Sequence, residues 1–274
     1  MGIKLVGVIR VNFKVGDIVS RKSYNNDILF KIIDITDNIV TLKGVDLRLY
    51  ADSEIEDLKK EDGKLNIVKS DREIIIENLK KVDLNRDEYF YLPGKILHID
   101  GDEEYLERCI NFYHDLNVQA YGLTLKEDEI HVYLEEYLNE YTPDILVITG
   151  HDAYYKKKND VNNLDNYQNT RNFIKAVKVA RKYEKDQNKL IIISGACQSN
   201  YEELIRAGSN FASSPKRINI HALDPAIIAS SIALSEQSKS IDLLTLIEKT
   251  KYGSDGIGGI ITNGTMFVGY PRWI

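Results

Sequence analysis

Cysteine is scarce in this sequence, and long apolar runs are absent from it. Only Cys109 and Cys197 occur in 274 residues, whereas a secreted protein held together by disulfides usually carries more cysteines in a shorter chain. No apolar run approaches the roughly 20 residues that span a bilayer, and residues 1–10 are not followed by the cleavage site of a signal peptide. We therefore expect a cytoplasmic protein with no membrane partner.

An excess of positive charge is also missing. The formal net charge is −6 at pH 7, which argues against a nucleic-acid partner. The histidines and cysteines lack the spacings of metal ligands, so no metal site is expected. Residues 253–259 are rich in glycine but lack the Lys-Ser/Thr pair of a phosphate-binding loop. No cofactor is therefore expected.

The composition, with 43% hydrophobic and 28% charged residues, is that of a globular protein. The length of 274 residues leaves room for one large domain and one small domain. Residues 13–53 contain short apolar runs separated by turn residues, which predicts a small β-barrel of SH3-like type, a domain over residues 1–53. Residues 54–92 are dense in Lys, Glu and Asp and predict a charged, partly helical connector.

From Pro93 onward, strand patterns alternate with helix patterns. This alternation predicts an α/β domain over residues 93–274, with a mostly parallel sheet and helices on both faces. Near the end of the chain, Asn263-Gly264 predicts the turn of a hairpin over residues 257–270.

The most informative stretch is Lys189-Leu-Ile-Ile-Ile-Ser-Gly-Ala-Cys-Gln-Ser199. Its apolar run shows no alternation, which is typical of a strand buried on both faces. The small residues Gly195 and Ala196 let the backbone turn. Cys197 is therefore expected at the carboxyl end of a central strand, where open α/β sheets build their sites.

A second stretch, residues 143–152, has the same design. Its apolar run ends at Gly150 and is followed by His151 and Asp152. The separation between His151 and Cys197 is 197 − 151 = 46 residues, which leaves room for one crossover helix between neighbouring strands. Cysteine proteases with a Q-A-C motif place their histidine roughly 50 residues upstream of the cysteine. The two stretches therefore predict a Cys–His dyad.

In such a dyad, Cys197 is the nucleophile and His151 accepts its proton. Backbone N–H groups at the cysteine and beside the histidine would bind the oxyanion, which places Gly150, Gly195 and Ala196 at the substrate. The competing interpretation is that Cys197 is a buried, inert side chain.

Three other residues have weaker patterns. Cys109 lies within an amphipathic helix, which indicates packing. His221 also ends a short predicted strand and is the rival base, and Asp224 follows it closely.

Seven motifs stand out along the chain: Val15-Gly-Asp-Ile-Val-Ser-Arg-Lys-Ser-Tyr24, Pro93-Gly-Lys-Ile-Leu-His-Ile-Asp-Gly-Asp102, Thr149-Gly-His-Asp-Ala-Tyr154, Ser194-Gly-Ala-Cys-Gln-Ser199, Arg206-Ala-Gly208, Asn210-Phe-Ala-Ser-Ser-Pro215 and Asn219-Ile-His-Ala-Leu-Asp-Pro225. Together they resemble a known family, the YabG sporulation-specific proteases of spore-forming Firmicutes. The likeness covers nearly the whole chain.

The resemblance implies a cysteine endopeptidase that cleaves spore-coat and germination-related precursor proteins after basic residues, chiefly arginine. It implies action in the mother cell and on the forming coat, with His151 and Cys197 as the catalytic pair. The family is distantly similar to the caspase, clostripain and gingipain clan, which implies a caspase-like fold. That clan usually has glycine after its histidine, where this sequence has Asp152.

An arginine before the scissile bond would need a carboxylate in its pocket. Asp100, Asp102, Asp152 and Asp224 lie near predicted strand ends and are the candidates. The basic residues of the connector also predict self-cleavage there.

Two alternatives stay open at this point: a coat-associated binding or scaffold protein without catalysis, and a hydrolase of small amides that uses the same dyad. The sequence leaves the oligomeric state open.

Overall fold

The computed structural model describes residues 13–61, 76, 88–155 and 160–272. The chain divides into two units, residues 1–67 and 68–274. Most of the predicted connector, residues 54–92, lies outside the described residues, and so does most of the stretch in which self-cleavage is predicted.

The first unit is built on a five-stranded antiparallel sheet. Its strands are β1 (Ile18–Arg21), β2 (Phe30–Thr36), β3 (Ile39–Gly44), β4 (Tyr50–Glu54) and β5 (Leu58–Lys60). They follow the order β4-β3-β2-β1-β5. Alternate residues of the strands, including Phe30, Ile32, Val40 and Leu42, form a small apolar core. The short antiparallel strands are as predicted, and β5 extends the sheet beyond residue 53 by pairing with β1.

The second unit is built on a six-stranded, largely parallel sheet. Its strands are β7 (Ile96–Asp100), β8 (Ala120–Thr124), β9 (Ile145–Thr149), β10 (Ile191–Ser194), β11 (Phe211–Ser213) and β12 (Ile257–Gly259). The order is β12-β11-β10-β9-β7-β8, and β12 runs antiparallel to β11. A separate pair joins β6 (Phe90–Leu92) to β13 (Phe267–Gly269).

Helices cover both faces of this sheet. They are α1 (Glu103–Asp115), α2 (Ile130–Tyr141), α3 (Thr170–Tyr183), α4 (Tyr201–Ala207), α5 (Asp224–Ala233) and α6 (Leu243–Ile247). On one face, α1, α5 and α6 share an apolar cluster with Val147, and Cys109 is buried in it, as predicted. On the other face, α2, α3 and α4 share a cluster with Ile148. The predicted α/β architecture with helices on both faces is confirmed.

None of the helices in the described ranges is both long enough and apolar enough to cross a membrane.

The hairpin predicted over residues 257–270 is wrong. The strand β12 pairs with β11, whereas β13 pairs with β6, so the two strands belong to different sheets. Glycine is required at position 264 for a different reason, because a Cβ there would overlap the backbone carbonyl of Ser235. The Asn-Gly signal therefore marks a close backbone approach at this site.

Neighbouring strands end together at one edge of the large sheet. Ile148 of β9 pairs with Ser194 of β10, and Asp100 of β7 pairs with Thr149 of β9, all in parallel register. Each of these strands is followed by a glycine. We call this side of the sheet the carboxyl edge, and the residues that follow β7, β8, β9 and β10 meet there.

Candidate active site

Cys197 follows β10 at the carboxyl edge. The turn begins at Gly195, whose φ is +99°, and a Cβ there would lie 2.7 Å from Leu204 Cδ1, so glycine is required. The Cys197 side chain is 1% exposed, and the Ile220 N–H donates to its sulfur over 3.3 Å.

Residues 214–221, which we call the covering segment, lie against the thiol through the backbone of Ile220. Gln198, the neighbour of the cysteine, donates its N–H to Ile218 O over 3.0 Å and its side-chain amide to Asn219 Oδ1 over 3.0 Å. Arg217 also anchors the segment, because its guanidinium donates to Tyr167 Oη over 2.9 Å and forms an ion pair with Glu202. Access to Cys197 therefore depends on how firmly this segment is held.

His151 follows β9 at the same edge, directly after Gly150. Its Nε2 donates to Asp102 Oδ2 over 3.1 Å, and its ring packs 5.9 Å, centroid to centroid, from the ring of Tyr105. The side chain is 20% exposed. A carboxylate bound to one ring nitrogen fixes the tautomer and the orientation of the imidazole.

The two carboxylate oxygens of Asp102 have different partners. Its Oδ1 accepts the N–H groups of Glu104 and Tyr105 and so caps the start of α1, while its Oδ2 faces the imidazole of His151. The sequence marked Asp102 only as a possible pocket acid. Its contact with His151 depends on the pairing of β7 with β9, which no local pattern reveals.

Asp100 lies beneath this contact, fully buried at the end of β7. It accepts the Asp102 N–H over 3.0 Å and the Thr149 hydroxyl over 2.7 Å. Thr149 Oγ1 in turn lies 2.8 Å from Nε2 of the buried His98, whose Nδ1 lies 2.9 Å from Tyr113 Oη. This network supports Asp102 from inside, so Asp100 lies in the core and not on a substrate surface.

Asp152 is also buried, and its carboxylate does not bind the imidazole. Its Oδ1 accepts the Asn169 N–H over 2.7 Å, and its Oδ2 accepts the hydroxyls of Thr170 and Ser199. Burial raises the pKa of the Asp152 carboxyl above its ordinary value, although these hydrogen bonds oppose the shift.

This carboxylate joins the two loops of the carboxyl edge. The Ser199 hydroxyl that donates to Asp152 also accepts the Ala196 N–H over 3.0 Å. The residue after His151 is therefore connected to the turn that carries Cys197. Asp152 therefore fixes the loop that carries His151 relative to the turn that carries Cys197.

Glu127 was missed by the sequence reasoning. It follows β8, and its Oε1 accepts the backbone N–H of His151 over 2.7 Å. An added Cβ on Gly150 would lie 2.5 Å from the same oxygen, and one on Gly101 would also overlap the carboxylate. Its position after a parallel strand is the only sequence signal that could have indicated it.

His221 and Asp224 lie at the start of α5. His221 is buried, its Nδ1 accepts the Leu223 N–H over 3.2 Å, and its own N–H donates to Asp224 Oδ2. Asp224 also accepts the Lys251 N–H over 2.9 Å. His221 directly follows Ile220, the backbone partner of the sulfur. The hydrogen bonds of the His221 and Asp224 side chains, however, stabilise the chain around the start of α5.

Comparison with known proteins agrees with the motifs. Residues 14–271 match a protein family described as YabG peptidase U57. The chain is also 39% identical over 286 aligned residues to the sporulation-specific protease YabG of Bacillus subtilis strain 168, and the alignment covers 95% of this chain and 99% of that protein. The family resemblance that the motifs indicated is therefore confirmed.

Proposed function

The chain belongs to the YabG peptidase family, and from this premise we propose that it is a cysteine endopeptidase with Cys197 and His151 as its catalytic pair. The observation that carries the proposal is the parallel pairing of β9 with β10, after which these two residues follow at one edge. The contacts of Asp102 with the imidazole and of the Ile220 N–H with the sulfur also support it. A nucleophile, a base and a group that orients the base are what thiol proteolysis requires.

In the proposed reaction, the thiol proton passes to His151 and the sulfur attacks the scissile carbonyl carbon. Because Asp102 engages Nε2, the proton moves through Nδ1. The imidazolium then protonates the leaving amine, and His151 activates the water that hydrolyses the thioester.

The oxyanion that forms in each step needs hydrogen-bond donors. The N–H groups of Ala196 and His151 already donate to Ser199 and Glu127. We assign the backbone N–H of Cys197 to the oxyanion because it belongs to the nucleophile's own residue at the carboxyl edge, with Gly150 and Gly195 leaving room for the substrate backbone beside it.

Substrate entry is part of the proposal, since Cys197 is 1% exposed. The covering segment has to move away from the sulfur before a peptide can reach it. The side-chain contacts that hold it include those of Gln198 with Asn219 and of Arg217 with Tyr167 and Glu202, and these have to break for the segment to move.

For the substrates, we propose spore-coat and germination-related precursor proteins cleaved after basic residues, chiefly arginine, in the mother cell and on the forming coat. The sporulation-specific name of the similar Bacillus subtilis protease supports the setting. Self-cleavage in residues 54–92, a caspase-like arrangement of residues 93–274 and an SH3-like docking module in residues 1–53 belong to the same proposal.

The decisive experiment compares the wild type with Cys197→Ala on a peptide that contains a single arginine. We expect the substitution to abolish cleavage and to leave the thermal unfolding temperature unchanged. The matched control is Cys109→Ala, which removes the other thiol and should retain activity. Cleavage by Cys197→Ala at the wild-type rate would exclude the mechanism.

The burial of Cys197 is the observation that favours the alternative, a binding protein without catalysis. A thiol-directed affinity label that carries an arginine side chain separates the two. In a protease it modifies Cys197 faster than a plain alkylating reagent does, and in a binding protein it gains no such advantage.

A further inference from the structure

Glu127 lies in a niche at the carboxyl edge that we call the Glu127 niche, formed by Gly101, Gly150 and the backbone of His151. We propose that Glu127 selects a basic side chain at the residue before the scissile bond. This inference rests on the proposed function, because it names the residue that reads the substrate of that same site.

The niche fits a carboxylate closely. The glycine after β7 and the glycine after β9 both leave space for the Glu127 side chain, since a Cβ on either would overlap it. The His151 N–H fixes Oε1 at 2.7 Å. A side chain held by two strand ends and one backbone donor has a defined position, which recognition of a planar guanidinium requires.

The Glu127 carboxylate still has capacity to bind a ligand. Within the described part of the chain, the His151 N–H is the one hydrogen-bond donor that reaches it, and the side chain is half-buried. A carboxylate has about four acceptor positions, so a guanidinium can bind beside the backbone N–H.

The aspartates marked by the sequence fit this task less well. Asp100, Asp152 and Asp224 are buried, and each accepts at least two hydrogen bonds from its own chain. Asp102 is 7% exposed and holds both α1 and the imidazole of His151. Recruiting any of them to a substrate would break contacts that maintain the site.

The position of Glu127 also suits the reaction. Its carboxylate touches the end of β9, and the strand that carries Cys197 is the neighbour of β9, about 4.8 Å away in the sheet. A negative charge at this place opposes formation of the thiolate and of the oxyanion. A bound cationic side chain neutralises that charge, so a basic substrate is favoured both in binding and in reaction.

The test measures kcat/KM for two peptides that differ only before the scissile bond, one with arginine and one with citrulline, which keeps the shape of arginine without its charge. In Glu127→Gln, the amide oxygen can still accept the His151 N–H, so the loop geometry is kept. We expect the preference for arginine over citrulline to fall by about 10- to 100-fold, the value of a charge-assisted hydrogen bond. Glu129→Gln, exposed on the same loop, is the matched control and should keep the wild-type preference.

The outcomes are distinct. Equal loss of kcat/KM for both peptides in Glu127→Gln would mean that Glu127 only positions His151, and an unchanged preference would mean that another residue reads the substrate. Either result overturns the inference and leaves the proposed function intact. If the wild type cleaves neither peptide, and its Cys197→Ala variant behaves identically, the proposed function itself fails.

Discussion

The imidazole of His151 donates from Nε2 to Asp102 Oδ2 over 3.1 Å, and the same aspartate caps the helix that begins at Glu103. One side chain thus connects the stability of α1 to the orientation of the proposed base. The two roles can be separated, because an asparagine also caps helices well but offers an N–H or a neutral oxygen to the imidazole.

The variant Asp102→Asn should therefore lower kcat while leaving the fold intact. Loss of the carboxylate removes the group that fixes the His151 tautomer, and general acid–base catalysis contributes about 10²- to 10⁴-fold. We expect kcat to fall within that range and the thermal unfolding temperature to stay near the wild-type value. A full kcat in Asp102→Asn would show that the imidazole needs no carboxylate.

The buried network under Asp102 should contribute to stability. Thr149→Val keeps the shape of the side chain but removes the hydroxyl between His98 and Asp100. Buried polar groups deprived of a partner cost about 1–3 kcal/mol, so the free energy of unfolding in urea should fall by about that amount. Thr124→Val at the exposed end of β8 is the control, and an equal loss there would contradict the role of the network.

The covering segment should control access to the thiol through Arg217. Arg217→Met removes the guanidinium that pairs with Glu202 and donates to Tyr167, while it keeps an apolar stem. Hydrogen bonds to charged groups contribute about 1.5–3 kcal/mol, so opening of the segment, and with it labelling of Cys197 by a thiol reagent, should become at least about tenfold faster.

Peptide mass spectrometry after labelling distinguishes Cys197 from the buried Cys109. The control for this experiment is Arg206→Met, since Arg206 is exposed and pairs with Glu203 inside α4. Equal labelling rates in the wild type and Arg217→Met would mean that the segment is held by its backbone contacts alone.

Asp152 should give a pH dependence of stability. Its pKa is raised by burial above the ordinary value of 3.8, so the folded protein binds this proton more tightly than the unfolded chain. The contribution of the group to the free energy of unfolding is complete below the unfolded pKa and decreases as the pH rises through the folded pKa. The stability of the wild type relative to Asp152→Asn should therefore decline from acidic pH upward and then become constant.

Urea denaturation of both proteins over this pH range measures that difference, and titrations common to both cancel. Asp128→Asn, which removes an exposed charge, controls for the change in net charge. A relative stability that rises with pH would contradict the direction of the shift.

Sequence patterns located the proposed dyad because a strand buried on both faces requires apolar residues at successive positions, and such a run is visible in the sequence. A run such as Leu190 to Ile193 has no polar face to expose, so it fits only the interior of a sheet, and the small residues after it leave Cys197 at the strand end. The same argument placed His151 after β9. The catalytic role of the pair stays a prediction, since position alone does not measure reactivity.

The partners of these residues could not be found in the same way. Asp102 and Glu127 come 49 and 24 residues before His151. They reach it only because β7 pairs with β9 and β8 pairs with the other side of β7, so that the residues after all three strands meet at one edge. Local signals also misled at the end of the chain, where the Asn263-Gly264 turn signal predicted a hairpin but β12 and β13 pair with other strands.

The amino-acid sequence by itself determined the family, the alternation of strands and helices, and the two strand ends that carry Cys197 and His151, because apolar periodicity and small residues act over a few neighbouring positions. The tertiary structure alone decided that Asp102 orients the imidazole, that Glu127 occupies the niche between two glycines, and that the covering segment lies against the thiol. These contacts join residues far apart in the chain, and their formation depends on strand order and register, which hydrogen bonds and packing between distant segments select.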